Sequence, residues 1–429
     1  MKIIQKIPLF FIVLFFGVTI YGQKLPFDKF RLMYRENSQT SVVIGWCGSH
    51  DVLFYYDTLP FDNQTEKYAN RCGVSSSNNY KKLKNNFVRL ENLNSGKRYY
   101  FILCDTISGL KSRMMSFKTL PDNASSLLIV AGGDSRNSVP LYEMNPKKCQ
   151  KGRRDGNKMV SKIVPDVVLF GGDFVLNMFN FFRKSDWKKW LNDWQLTRTD
   201  DGLLIPIIPA MGNHEDKLDL VNIFDIIDST SNFVSNLGGD LISVVTLNNL
   251  SNVCNPTQLS VTENLLREAS TNSKWQMVQY HIPINPQGKK YNKREDLFLC
   301  WAPLFTKYGV DVISESHTHI IKTTYPAYIN INNQTFSRSD SNGIVFIGEG
   351  AWGAPLRKIR PDNNYIFDQK AYHGFHVLAV DRDKILIYQI SFEDIDKVAN
   401  NNSNRNNLEL PANIKIKSGK SGNFIEIKK

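Results

Sequence analysis

Five short blocks downstream of residue 130 carry side chains able to hold metal ions: Gly133-Asp134-Ser135-Arg136-Asn137, Gly172-Asp173-Phe174-Val175-Leu176-Asn177, Gly212-Asn213-His214-Glu215, Tyr280-His281-Ile282-Pro283 and Ser316-His317-Thr318-His319. A single Gly-Asp pair marks an ordinary turn, and a lone histidine is usually a satisfied structural residue. Here, however, four of the chain's seven histidines fall inside the blocks. Alternate residues of a strand face one side, so His317 and His319 at a strand end can present two imidazoles to one ion.

The elements around the blocks belong to a layered α/β unit. Apolar runs such as Leu127-Leu128-Ile129-Val130-Ala131, Val167-Val168-Leu169-Phe170 and Trp275 to Tyr280 alternate with amphipathic stretches of helical length, Phe181 to Gln195 and Thr262 to Ala269 among them. Each block follows an expected strand, and open α/β sheets bind their ligands in the loops at the carboxyl ends of strands. Upstream the pattern differs. From Lys24 to Leu120, short runs such as Ser41 to Trp46, Val52 to Tyr56, Asn86 to Leu90, Tyr99 to Leu103 and Arg113 to Phe117 are separated by Gly, Asn and Ser clusters. That is the pattern of an all-β sandwich. The expected organisation is a leader over 1–22, a β-sandwich over 23–120, a catalytic α/β domain over 125–398, and an Asn-rich linker with a basic tail over 399–429.

The ordered set of blocks resembles the calcineurin-like metallophosphoesterases. The preceding sandwich makes the purple acid phosphatase branch the nearer likeness. Trp46 and the run Leu90 to Tyr100 resemble a fibronectin type III domain, in which a Leu and a Tyr around such a turn pack into the core. The resemblance implies a four-layer α/β/β/α sandwich and two divalent or trivalent metal ions, Fe, Zn or Mn. It places Asp134, Asp173 and His319 on one ion, and Asp173, Asn213, His281 and His317 on the other, with Asp173 as the bridge. His214 would be the general acid, with Glu215 orienting it.

Two departures stand out. Arg136 occupies a position where many members carry a ligating histidine, and a guanidinium cannot ligate a metal; its planar fork suits phosphate oxygens instead. Leu176 stands where purple acid phosphatases have a Tyr, so the first ion would have three protein ligands and the iron–phenolate colour would be missing. Ser316 replaces a Gly. Trp352 could line the substrate pocket or simply pack, and His373 and His376 read as structural.

The implied activity is hydrolysis of phosphorylated small molecules, monoesters rather than diesters. The rival reading is a non-catalytic surface or adhesion protein that kept the fold. Composition agrees with an ordinary globular protein: 42% hydrophobic and 22% charged residues in a 429-residue chain long enough for two domains. The net charge of +12 attracts anions, yet Lys and Arg are scattered rather than striped, so no specific nucleic acid partner is expected. Lys2 and Lys6, the apolar run Ile7 to Phe16 and Gly22 before Gln23 read as a secretory leader, cleaved or retained as an anchor. No later stretch is apolar enough to span a bilayer. The product is therefore expected to be secreted, periplasmic or at the cell surface. Six cysteines fit an oxidising compartment, and they allow 15 pairings.

Overall fold

The computed structural model describes residues 25–137, 146–176, 186–227, 230–339 and 342–429. The leader segment and Asn177 lie outside the described residues.

Two stacked sheets form the centre of the α/β unit. One runs Lys384–Ser391, Gly374–Asp381, Ser126–Gly132, Val167–Phe170, Pro206–Pro209, and the other runs Phe233–Leu237, Ile242–Thr246, Trp275–Gln279, Val312–Ser314, Val345–Gly348, Ile321–Thr324, Ile366–Lys370. Side-chain alternation builds the layers. Leu127, Ile129 and Ala131 point between the sheets, where they meet Ile242, Val244, Trp275 and Met277. Their neighbours Leu128 and Val130 point outward, onto Met159, Val160 and Ile163 of the helix Pro146–Ile163 and onto Trp187, Trp190 and Trp194 of the helix Asp186–Trp194. On the far side, Val245, Val278 and Ile313 pack against Leu266 and Ala269 of the helix Pro256–Asn272 and against Trp301 and Phe305. The result is helix, sheet, sheet, helix. The near-continuous apolar strands follow from burial on both faces.

The upstream segment folds as two facing sheets. One contains Phe27–Met33, Val42–Gly48, Leu83–Leu90 and Ser76–Tyr80; the other contains Asn70–Cys72, Val52–Asp57, Arg98–Asp105 and Met115–Lys118. Trp46, Phe54, Phe101 and Phe117 fill the space between them, and Leu93 and Tyr99 are buried there too. The backbone N–H of Asn94 donates to the Tyr99 hydroxyl at 2.8 Å.

The first of these sheets is not separate from the α/β unit. Phe27–Met33 pairs in parallel with Pro206–Pro209, with Leu32 opposite Pro206 and Met33 opposite Ile207. Among the described residues this gives one sheet of eleven strands. The C-terminal tail completes its other edge, with Phe424–Lys428 and Lys415–Ile416 both pairing with Lys384–Ser391. The Asn-rich segment before it is tied down: the Asn401 amide donates to Ile163 O and Glu409 O, and Arg405 reaches Val164 O and Asp166.

Cys254 and Cys300 form a disulfide beside the start of the Pro256–Asn272 helix, while Cys47, Cys72 and Cys104 are free thiols. No helix among the described residues is long and apolar enough to cross a membrane.

Candidate metal centre

The five blocks converge at the carboxyl ends of their strands. Asp134 follows Ser126–Gly132, Asp173 follows Val167–Phe170, Asn213 follows Pro206–Pro209, His281 follows Trp275–Gln279, and His317 follows Val312–Ser314. Backbone bonds lock the loops together. Asp134 N donates to Gly172 O at 3.0 Å, and Ser135 N and Arg136 N both donate to Asp173 O at 3.0 Å. The loop after Val345–Gly348 closes in from above, where Gly350, at φ +73°, presses on the Asp134 carboxylate and leaves no room for a Cβ.

Asp134, Asp173, His317 and His319 all have left-handed backbones, with φ of 58°, 55°, 78° and 58°. None is a glycine, the residue that would take this conformation without strain. Their side chains therefore matter more here than backbone comfort, as is common where a site is built on strain.

Two donor groups result, sharing Asp173: Asp134, Asp173 and His319 in one, and Asp173, His281 and His317 in the other. Asn213 belongs with the second, its Oδ1 lying 2.9 Å from His281 Nε2 and 2.8 Å from His317 Nδ1. Whether these residues fit cations can be judged from their protons. His281 Nδ1 sits 2.8 Å from the Gly171 carbonyl, which only accepts, so Nδ1 carries the hydrogen. In the neutral ring Nε2 is then a lone pair. It faces Asn213 Oδ1 and Asp173 Oδ1, the latter at 3.3 Å, both of which only accept, and it lies 3.2 Å from His317 Nδ1. His319 repeats the arrangement. Its Nδ1 donates to Pro355 O at 2.7 Å, which aims Nε2 at Asp134 Oδ1, 3.3 Å away. That buried carboxylate oxygen has no hydrogen-bond partner. Lone pairs crowding one another inside a protein are what a cation resolves, and the residues present fit two.

Electrostatics agree. Burial holds His317 and His319 down to about 3, leaving both imidazoles free of the extra proton at neutral pH. Burial, with Asp173 alongside, drives Asp134 well above the usual carboxylate range. A cation between them would reverse that direction. Burial pushes Asp173 up too, but His281, His214, Arg136 and His317 together hold it below its ordinary value.

The centre is closed on one side and open on the other. Asp134 and His319 are fully buried, whereas Asn213 is exposed and His214 and His317 are partly exposed, so a substrate must enter over the latter three. Arg136 is buried, with Nε 3.8 Å from Asp173 Oδ2. Its Nε therefore faces the donor groups, while Nη1 donates to Asn137 O at 3.0 Å. Leu176 is buried and supplies no ligand. Trp352 packs against Phe170 and Phe375 and donates to Asn157 Oδ1 at 3.0 Å, so it belongs to the core.

Glu215 departs from expectation. Its carboxylate accepts from the backbone N–H groups of Gly212, Asp173 and Phe174 at 2.8–2.9 Å. It fixes the turn that carries Asp173 instead of orienting the His214 ring. His214 is placed through its own N–H, which donates to Asp173 Oδ1 at 3.0 Å, and its Nε2 lies 3.7 Å from Asp173 Oδ2.

Sequence reasoning missed the support behind the histidine loop. Lys322, fully buried, donates to Glu315 Oε2 at 2.6 Å and Glu349 Oε1 at 2.7 Å. Glu349 also takes the Thr318 hydroxyl, between the two histidines, and Gln287 N at 2.9 Å. Glu315 accepts from Tyr280 Oη at 2.9 Å and Ile284 N at 2.8 Å. The buried triad thus clamps the loops after His281 and around His319.

The family model for calcineurin-like phosphoesterases matches residues 149–320, which contain four of the five blocks. Over these residues the chain is similar to the calcineurin-like phosphoesterases. Among solved structures, the fold is similar to the purple acid phosphatase PPD1 from yellow lupin (Lupinus luteus) seeds, at a TM-score of 0.66 and 15% identity, covering 86% of this chain and 72% of that one. PhoD is similar at a TM-score of 0.60 and 10% identity, covering 84% and 86%. At such identities the likeness is one of fold. No curated protein matches the sequence.

Proposed function

We propose that this protein is an exported phosphomonoesterase with a two-metal centre. The observation that carries the reading is the pair of donor groups sharing Asp173, each with imidazole lone pairs aimed by a backbone carbonyl. Asp134, Asp173 and His319 would hold one ion, and Asp173, Asn213, His281 and His317 the other. Bound there, the ions supply Lewis acidity and an activated water for in-line attack at phosphorus.

The protein's own groups do the rest. Arg136 can offer its planar fork to two phosphate oxygens, and its burial beside Asp173 keeps the fork in place. His214, at the open edge, is positioned to meet the leaving oxygen. Burial holds its pKa down to about 4, so at neutral pH it meets an incoming phosphate as a neutral hydrogen-bond donor. The phosphate's negative charge favours uptake of a second proton from solvent, and the protonated ring can then pass a proton to the leaving oxygen, which departs as the alcohol. Glu215 keeps the Asp173 turn rigid.

Export is supported by the basic–apolar leader at 1–22 and by the Cys254–Cys300 disulfide, which suits an oxidising compartment. The upstream sheets, with Leu93 and Tyr99 buried, suit a fibronectin type III-like module.

The test is metal analysis of the purified protein together with hydrolysis of p-nitrophenyl phosphate and bis-p-nitrophenyl phosphate. Two metals per chain and faster monoester hydrolysis are expected. A protein that binds two metals and hydrolyses neither ester would be a non-catalytic relative.

A further inference from the structure

A basic cleft opens beside the metal centre. It has a volume of about 530 Å³ and is lined by Lys289, Lys290, Tyr291, Leu356, Arg357 and Lys358. Among the described lining residues, four side chains are cationic and none is acidic. Among the described residues, no carboxylate forms an ion pair with Lys289, Lys290 or Lys358, and all three are exposed. Elsewhere the surface lysines Lys307, Lys384 and Lys417 sit with Glu263, Glu426 and Glu393. The three lysines gathered in one concavity raise the local potential and concentrate anions there.

The cleft is fixed relative to the metals. One wall is the loop that follows His281; the other follows Gly350. Lys289 N donates to Lys358 O at 2.8 Å, Gly288 bridges Ile359, and Arg360 N donates to Gln287 O at 2.9 Å. The first wall is anchored below by Gln287 N on Glu349, and the second by His319 Nδ1 on Pro355 O. Tyr291 sets its ring edge-on to His317, centroids 5.0 Å apart, and Arg357 N reaches His319 O at 3.4 Å. The cleft therefore meets the centre at its open edge, where His317 and His214 are accessible.

We infer that the cleft is a second anion subsite, and that the natural substrate is a small organic phosphate bearing another phosphate besides the one that is cleaved. This rests on the phosphoesterase reading above. The volume lies within the range of small-molecule sites and exceeds what a lone phosphate needs. The scissile phosphate would lie at Arg136 and the donor groups. The second would lie among Lys289, Lys290 and Lys358, with Arg357 at the junction.

The test compares fructose 6-phosphate with fructose 1,6-bisphosphate on the metal-loaded full chain, by calorimetric binding and by steady-state kinetics. Wild type should bind the bisphosphate at least ~10-fold more tightly, as expected for two or more added charge-assisted contacts. Kinetic preference in kcat/KM should run the same way, and the advantage should shrink as salt rises. In the triple variant Lys289→Ala/Lys290→Ala/Lys358→Ala the ratio of the two affinities should fall towards one. All three positions are exposed, and circular dichroism checks that the variant folds. Equal affinities in wild type, or an undiminished ratio in the variant, would overturn the subsite. So would capture of a duplex oligonucleotide without discrimination between the sugars. Failure to hydrolyse either sugar while binding discrimination persists would count against the phosphoesterase reading and leave the subsite standing.

Discussion

Replacing Lys322 with methionine removes the cation that Glu315 and Glu349 share and leaves two buried carboxylates without it. Lys322 is 1% exposed and both acids are fully buried, so water cannot take over its role. Breaking a buried ion pair by removing one partner costs about 3–5 kcal/mol, and the cost here should lie towards the upper end because two acids lose their partner. For a domain of this size that is a fall in Tm of roughly 6–12 °C. The pH dependence has a definite sign. Burial already holds Glu315 above the usual range, with Lys322 opposing that rise. Removing the cation lifts the folded value further above that of the unfolded chain. A raised acid stabilises fully below its unfolded value of about 4.3 and loses that contribution as pH rises through the folded value. The variant's deficit should therefore be small near pH 4.5 and large at pH 7.5. Thermal unfolding of metal-free wild type and variant at both pH values reads this directly. Because Glu349 holds Thr318 between His317 and His319, metal affinity should fall as well. A variant within about 1 kcal/mol of wild type at pH 7.5, or one more damaged in acid, would refute the assignment of the triad as a charged clamp.

Other outcomes follow from the centre itself. Asp173→Asn should lose metal retention and hydrolysis together, since an amide carries no charge to bridge with; two metals with unchanged turnover would remove Asp173 from the bridge. Arg136→Lys should raise KM for monoesters several-fold, because a point charge cannot replace a fork. An unchanged KM would place phosphate elsewhere. With three donors against four, the Asp134–Asp173–His319 pocket should bind its ion less tightly, so dialysis against a mild chelator should remove one metal per chain first, with activity. Simultaneous loss of both would point to a donor outside the six assigned. His376 is buried and held down to about 3, so it contributes stability above its unfolded value near 6.5 that is lost as pH falls towards 3. His376→Gln should flatten that acid slope in a urea titration series, and an unchanged slope would assign it elsewhere.

The donor residues could be found in the sequence because the blocks lie just past strands, where a short apolar run and, at Asp134, Asp173 and Asn213, a preceding Gly mark the turn. The layer order was legible for a similar reason: period-two burial, as at Leu127 to Ala131, is local. What was not legible depends on contacts distant in the chain. Glu315, Lys322 and Glu349 carry no spacing that distinguishes them from surface charges until the fold brings them together. Glu215 sits next to His214 in sequence, which suggested orientation of its neighbour. The tight turn instead sends its carboxylate back to the amides of Asp173 and Phe174. The Cys254–Cys300 bridge could not be picked from fifteen pairings, and the basic cleft combines two loops separated by some 65 residues of chain.

The parallel pairing of Phe27–Met33 with Pro206–Pro209 has a consequence for how the protein can be divided. A chain shortened to begin at residue 125 would leave Pro206–Pro209 as a naked sheet edge, its inner neighbours apolar and fully buried. Exposed edges of that kind recruit strands from other molecules. Such a fragment should thus be prone to self-association even with every metal-binding side chain intact. The upstream sheets would in that case have a protective office independent of any ligand they bind: they cap the catalytic sheet, much as a terminal repeat caps a solenoid.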